Sequence, residues 1–140
     1  MAIYIAMDAG GTKTETLVHD ETGRILLRDV TPGCNAMDLG IDEAQKRATD
    51  ALTRVLPALP QGRPDRAFCG IASVYFYRGL LTDALDARFP GWNIAWHDDG
   101  RGMITSMLGA RDGCCIVCGT GSSLFARAQG VLHHIGGWGY

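Results

Sequence analysis

The residues best suited to chemistry stand near the start of the chain, in Met7-Asp8-Ala9-Gly10-Gly11-Thr12-Lys13-Thr14. Adjacent glycines allow positive φ and let a backbone come close to a ligand. Thr12 and Thr14 add hydroxyls and Lys13 a cation. A turn that bares successive N–H groups beside such groups suits an anion such as phosphate. Asp8 would repel that phosphate directly, so it makes chemical sense there as a partner for Mg2+ or its waters. An ordinary β-hairpin with a glycine turn would read the same way. Asp98 is the second candidate, at the exit of Asn93-Ile94-Ala95-Trp96-His97. A carboxylate at the C-terminal end of a parallel strand sits where open α/β sheets place ligands. There it is placed to exchange a proton with a bound ligand.

Other clusters point less far. Cys115-Ile116-Val117-Cys118 has the C-x-x-C spacing, but strand positions three apart face opposite ways and no second pair completes a metal site. His133-His134 are adjacent, so a strand turns one inward and one outward. No G-x-x-x-x-G-K-[ST] occurs, and no G-x-G-x-x-G follows a strand, so neither a P-loop nor a dinucleotide fold is supported.

These residues need a scaffold, and the patterning supplies one. Ala2-Ile3-Tyr4-Ile5-Ala6 reads as a buried strand, and Glu15-Thr16-Leu17-Val18-His19 alternates as a half-buried one. Asp20-Glu21-Thr22-Gly23 is a turn, and Ile25 to Val30 a third strand, completing an antiparallel meander. The spacing predicts a helix from Ile41 to Leu56, stopped by Pro57. A strand over Arg66 to Ala72, a helix over Leu80 to Arg88, the strand before Asp98 and a helix over Met103 to Leu108 follow. The order β-β-β-α-β-α-β-α gives an α/β domain with a mixed five-stranded sheet and helices on both faces. After Asp112 the opening pattern restarts: the strand Cys114–Cys118, the glycine turn Gly119-Thr120-Gly121-Ser122, then two strands around Gln129-Gly130. The expected division is residues 1–111 as one domain and 112–140 as the start of a second.

Composition sets the bounds. With 140 residues, 46% hydrophobic and 20% charged, the chain suits a globular domain. A net charge of −2 gives no electrostatic footprint for nucleic acid. No apolar run approaches membrane-spanning length, and the N-terminus lacks a signal-peptide pattern. An odd count of 5 cysteines, several in apolar runs, favours a reducing cytoplasm. The strand edges after Asp112 could pair with a second copy, giving a homodimer.

Asp8-Ala9-Gly10-Gly11-Thr12, Gly119-Thr120-Gly121-Ser122 and Gly136-Gly137-Trp138-Gly139, in this order and spacing, resemble the N-terminal half of the N-acetylglucosamine kinases. These belong to the BadF/BadG/BcrA/BcrD-type ATPases of the actin–hexokinase–Hsp70 superfamily. The resemblance implies a ribonuclease-H-like domain that uses ATP and Mg2+ to phosphorylate an amino sugar. It implies phosphate contacts from Gly10, Gly11, Thr12 and Lys13, and from Gly119, Thr120, Gly121 and Ser122 of the second domain. It implies sugar contacts from Asn35, Asp98, Gly137, Trp138 and Gly139, with Asp98 as base and Asp8 placing the metal. Asp99 leaves open which carboxylate is the base. The chain then represents about half an enzyme, expected to be inactive alone. Two other functions fit less well: an ATPase that activates a radical dehydratase, and a non-catalytic binding module. Ala72-Ser73-Val74-Tyr75-Phe76-Tyr77-Arg78-Gly79 is unusually aromatic for a loop that the resemblance implies is small and polar.

Overall fold

The computed structural model describes residues 1–118 and 122–136. Two compact units form, Met1–Asp99 and Gly100–Tyr140. In this chain the fourth helix falls almost wholly within the second unit.

The first unit begins with β1 (Ile3–Ala9), β2 (Lys13–Asp20) and β3 (Ile25–Pro32), the expected meander. Asp20 closes its second turn, its Oδ1 accepting from the Thr22 N–H, the Thr22 hydroxyl and the Arg24 N–H at 2.9, 2.6 and 3.0 Å. A short helix α1 (Ala36–Leu39) leads into α2 (Ile41–Arg54), and a 3₁₀ turn over Leu56–Ala58 follows where Pro57 prevents continuation. Then come β4 (Arg66–Ile71), α3 (Arg78–Arg88) and β5 (Ile94–His97). The sheet order is β3-β2-β1-β4-β5, with β1–β4 and β4–β5 parallel and the β1–β2–β3 pairs antiparallel. Parallel neighbours need a long crossover, which α2 and α3 supply.

Alternation decides which face is covered. Ile3, Ile5, Met7 and Ala9 of β1 and Thr14, Thr16 and Val18 of β2 are buried, while Tyr4, Ala6, Glu15 and Leu17 are half-buried. The helix α2 buries Ala44, Ala48, Ala51 and Leu52, one stripe at helical spacing. Three alanines keep that stripe thin, so the helix lies close to the strands. Leu81 and Leu85 of α3 join the same core with Cys69 and Trp96. Helices α2 and α3 thus share one face of the sheet. Arg54 binds Asp29 through two bonds of 2.5 and 3.1 Å, tying the end of α2 to the edge strand. The Trp96 indole N–H donates to Asp86 Oδ1 at 2.8 Å, tying α3 to β5.

The second unit holds α4 (Asp99–Leu108) and an antiparallel sheet of β6 (Gly113–Cys118), β7 (Ser122–Ala128) and β8 (Val131–Gly136). Ile104, Cys115 and Phe125 form its core, flanked by Met103, Leu108 and Leu132. The sequence places this helix at Met103–Leu108, but it starts at Asp99. Gly100 and Gly102 weaken the local signal, whereas packing requires the first of them: a Cβ on Gly100 would lie 2.0 Å from the Phe125 ring. The hairpin at Gln129-Gly130 forms with φ of 52° and 75°, and Asp112 accepts from both N–H groups. His134 stacks on Phe125 with ring centroids 4.3 Å apart. No described helix is long and apolar enough to cross a membrane. Cys34, Cys69 and Cys115 are buried, Cys114 and Cys118 exposed, and all are free thiols.

Candidate functional site

The parallel pairing of β1, β4 and β5 brings three C-terminal strand ends side by side. The register Asp8↔Gly70↔His97 runs straight across them. Adjacent strands lie about 4.8 Å apart, so this row spans roughly 10 Å. Around it gather the β1–β2 turn, the loop from β3 into α1, the loop after β4 and Asp98.

The β1–β2 turn is a tight hairpin in which the Gly10 N–H donates to the Lys13 carbonyl at 3.0 Å. Among the described residues, the N–H groups of Gly11 and Thr12 have no hydrogen-bond partner, and both residues are exposed. Two amides are therefore available to an anion at this corner. Neither Gly10 nor Gly11 has positive φ, contrary to the reason the sequence suggests for them. Close approach is instead required of Gly33, which packs against this turn. A Cβ on Gly33 would lie 2.1 Å from the Gly11 carbonyl oxygen and 2.6 Å from that of Gly10. The Gly33 N–H donates to the Thr12 carbonyl and the Cys34 N–H to the Gly10 carbonyl, both at 3.1 Å. Arg47 of α2 in turn holds the Gly33 carbonyl at 2.9 Å. The turn is thus clamped from behind, with Gly33 as the residue the sequence reading missed. Its only signal was Pro32-Gly33 ahead of a helix.

Thr14 does not belong to the anion corner. Strand alternation turns it into the core, where its hydroxyl lies 3.6 Å from the Cys34 sulfur. Lys13 is engaged by Glu15, Nζ to Oε2 at 3.1 Å, and Arg28 binds the other oxygen of Glu15 at 2.7 Å. These hydrogen bonds, from Arg28 first and Lys13 second, hold the Glu15 carboxyl below its ordinary pKa. Asp8 faces Glu15 across the strand pair. Desolvation pushes the Asp8 pKa up, Glu15 adds to the rise, and Lys13 opposes it. A carboxylate whose charge is under-compensated, beside two open amides, fits a divalent cation carrying phosphate oxygens. Among the described residues no group of three or more His, Cys, Asp or Glu side chains gathers to hold a metal by itself.

Asn35 caps α1, its Oδ1 accepting from the Met37 N–H at 3.1 Å. Its Nδ2 donates to Asp38 Oδ2 at 2.7 Å, and the Ser73 hydroxyl reaches its Oδ1 at 2.6 Å. Asp38 also lies beside the phosphate-suited turn, 3.3 Å from where a Cβ on Gly11 would stand. Neither Asp38 nor Ser73 was singled out from sequence. The spacing Asn35-x-x-Asp38, that of a capping box, was the available sign of the first. Asp98 follows β5 directly, is half-buried rather than sealed in, and its backbone passes close to Gly70, where a Cβ would meet the Asp98 carbonyl at 3.4 Å. His97 stacks on Phe68 at 5.2 Å, which fixes the strand end that carries Asp98. Ser122 opens β7 and is exposed. Gly119, Thr120, Gly121, Gly137, Trp138 and Gly139 lie outside the described residues.

Residues 5–140 match the BadF/BadG/BcrA/BcrD ATPase family. The chain belongs to that family. The N-acetyl-D-glucosamine kinase of Dictyostelium discoideum is 29% identical over 98% of this chain and 47% of its own length. Among solved structures, candidate N-acetylglucosamine kinases from Porphyromonas gingivalis and Chromobacterium violaceum have the same fold. The first matches with a TM-score of 0.77 at 21% identity and the second with 0.72 at 24%, each over 100% of this chain and about half of its own. A ROK family glucokinase from Streptomyces griseus, solved with glucose and AMPPNP, matches with a TM-score of 0.59 at 23% identity, over 94% of this chain and 46% of its own. This BadF-type chain is thus a sugar kinase relative of actin-like ATPase fold, spanning about half the length of the proteins it matches.

Proposed function

We propose that the intact protein transfers a phosphoryl group from ATP to the primary hydroxyl of an amino sugar, N-acetylglucosamine or glucosamine. The observation that carries the reading is the gathering of two unpartnered amides, Asp8, Asn35 and Asp98 at the C-terminal ends of three parallel strands. Family membership and the Dictyostelium kinase as a relative support the amino-sugar acceptor.

In this reading the N–H groups of Gly11 and Thr12 face the nucleotide's phosphates, with Gly10 shaping the turn behind them and Lys13 alongside after exchanging Glu15 for phosphate oxygen. Gly119, Thr120, Gly121 and Ser122 grip the same phosphates from the second domain. Asp8 holds Mg2+ or its water. Bound Mg-ATP supplies the phosphoryl group and neutralises its developing charge. Asn35 orients the sugar, and Gly137, Trp138 and Gly139 complete its seat. Asp98 accepts the proton of the attacking hydroxyl. Domain closure excludes water, so the sugar takes the phosphate. The 140 residues alone are then without turnover, because one wall of the site is missing. The protein works in the cytoplasm, where ATP and amino sugars are found.

The test is a coupled ADP-release assay on the complete gene product with a panel of hexoses and amino sugars. Sugar-dependent ADP release, strongest with an amino sugar, is expected. Release that no sugar stimulates overturns the proposal, as does turnover by the 140-residue piece free of contaminating kinase.

A further inference from the structure

We infer that Ser73 is a positioning residue that locks Asn35 into the role of hydrogen-bond donor toward the acceptor sugar. This rests on the reading of Asn35 as a sugar contact and deepens it. The orientation of the Asn35 amide follows from one-way partners. The Met37 N–H can only donate, so the oxygen faces it at 3.1 Å. The Asp38 carboxylate can only accept, so the nitrogen faces it at 2.7 Å. The Ser73 hydroxyl, 2.6 Å from that amide oxygen, must then donate its proton there, sharing it with the Ala72 carbonyl at 2.5 Å. Both lone pairs of Asn35 Oδ1 are occupied, and one Nδ2 hydrogen remains. The amide offers a ligand a donor and no acceptor. Asp38, exposed beside it, offers acceptor oxygens. Together they suit a single hydroxyl that accepts from Asn35 and donates to Asp38, which is what a sugar ring presents.

The backbone supports this assignment. Ser73 has φ of 63°, in the left-handed region that few non-glycine residues occupy. Its turn is held by Val74 N–H to Ile71 O at 3.2 Å and Phe76 N–H to Ser73 O at 3.1 Å, with Val74 buried. Glycine would take this conformation without strain. What serine adds over glycine is the hydroxyl, which reaches Asn35 on the neighbouring loop as well as its own turn's Ala72 carbonyl. Backbone strain retained at such a point marks a functional constraint.

The test uses the intact protein with N-acetylglucosamine as the acceptor. Ser73→Gly removes the hydroxyl and the strain together, so its melting temperature is expected to hold or rise. Its KM for the sugar should rise about three- to tenfold, the range of one net hydrogen bond, with kcat and the KM for ATP near wild type. Ser73→Ala should raise the sugar KM equally at a lower melting temperature. In an Asn35→Ala background, Ser73→Gly should have no further effect, since the serine acts through the asparagine. An unchanged sugar KM in Ser73→Gly, or additive effects with Asn35→Ala, overturns the inference. A readout free of activity separates it from the kinase reading. The Asn35 side-chain amide signals in 15N NMR should shift and broaden in Ser73→Gly. Absence of turnover with every sugar sinks the kinase reading alone, whereas unmoved Asn35 signals sink the role of Ser73 alone.

Discussion

Replacing Gly33 by alanine isolates the clamp behind the phosphate-suited turn. The added methyl would stand 2.1 Å from the Gly11 carbonyl oxygen, 2.4 Å from its carbon and 2.6 Å from the Gly10 oxygen. Atoms pack comfortably at about 3.5 Å, so main chain must retreat by more than about 1 Å. No flexible side chain is there to absorb the shift. Overpacking of this kind costs about 1–3 kcal/mol. The retreat also breaks the Gly33–Thr12 and Cys34–Gly10 hydrogen bonds, each worth about 1 kcal/mol. A total of roughly 3–5 kcal/mol follows, a large share of a typical domain's stability. For a domain of this size that corresponds to a fall in Tm of about 12 °C or more. Gly23→Ala is the control. Gly23 has φ of 84° with nothing within 4 Å, so alanine there meets strain without contact, at about 1–2 kcal/mol. Thermal melts followed by circular dichroism compare the two variants. If Gly33→Ala melts within about 3 °C of Gly23→Ala, the steric account of the clamp is wrong.

Three further outcomes are expected. Asp8→Asn should raise the Tm at neutral pH while abolishing Mg-ATP-dependent turnover in the intact protein. Because the folded pKa of Asp8 is raised, ionising it costs stability above that pKa and nothing below the unfolded one. The Tm advantage of the variant should therefore shrink as pH falls through the carboxylate range, and an advantage that grows there contradicts the assignment. Glu15→Gln removes the like charge opposite Asp8 and releases Lys13 and Arg28. The Asp8 pKa, followed by carboxyl 13C NMR, should fall, while stability changes by no more than about 1 kcal/mol, as for exposed pairs. Asp98→Asn in the intact protein should retain sugar binding by calorimetry and lose about 10²–10⁴-fold in turnover. Undiminished turnover would transfer the base role to Asp99.

The fold was largely written in patterns of local period. Alternation marked β1 and β2, the helical stripe of Ala44, Ala48, Ala51 and Leu52 marked α2, and Asp20 to Gly23 marked a turn that Asp20 closes. What escaped depends on contacts distant in sequence. Gly100 looks like a helix breaker until the Phe125 ring is set against it. Gly33 looks like loop punctuation until β1 and β2 close in front of it. Thr14 looks like a phosphate ligand until strand parity turns it inward. The chemistry divides the same way. The motif named the turn and its aspartate, but the Ser73–Asn35 bond joins positions on two separate loops, and no periodicity reports such a meeting.

The distribution of thiols gives the molecule an internal clock. Cys34 and Cys69 are sealed in the first unit, and burial pushes both thiols up in pKa, so neither is a ready nucleophile while that unit is closed. Cys114 and Cys118 lie open on the second. Alkylation should therefore arrive in separate waves: Cys114 and Cys118 at once, Cys115 as the second unit opens, and Cys34 and Cys69 only as fast as the first unit breathes. A nucleotide that tightens the β1–β2 hairpin would slow the last wave and leave the first untouched.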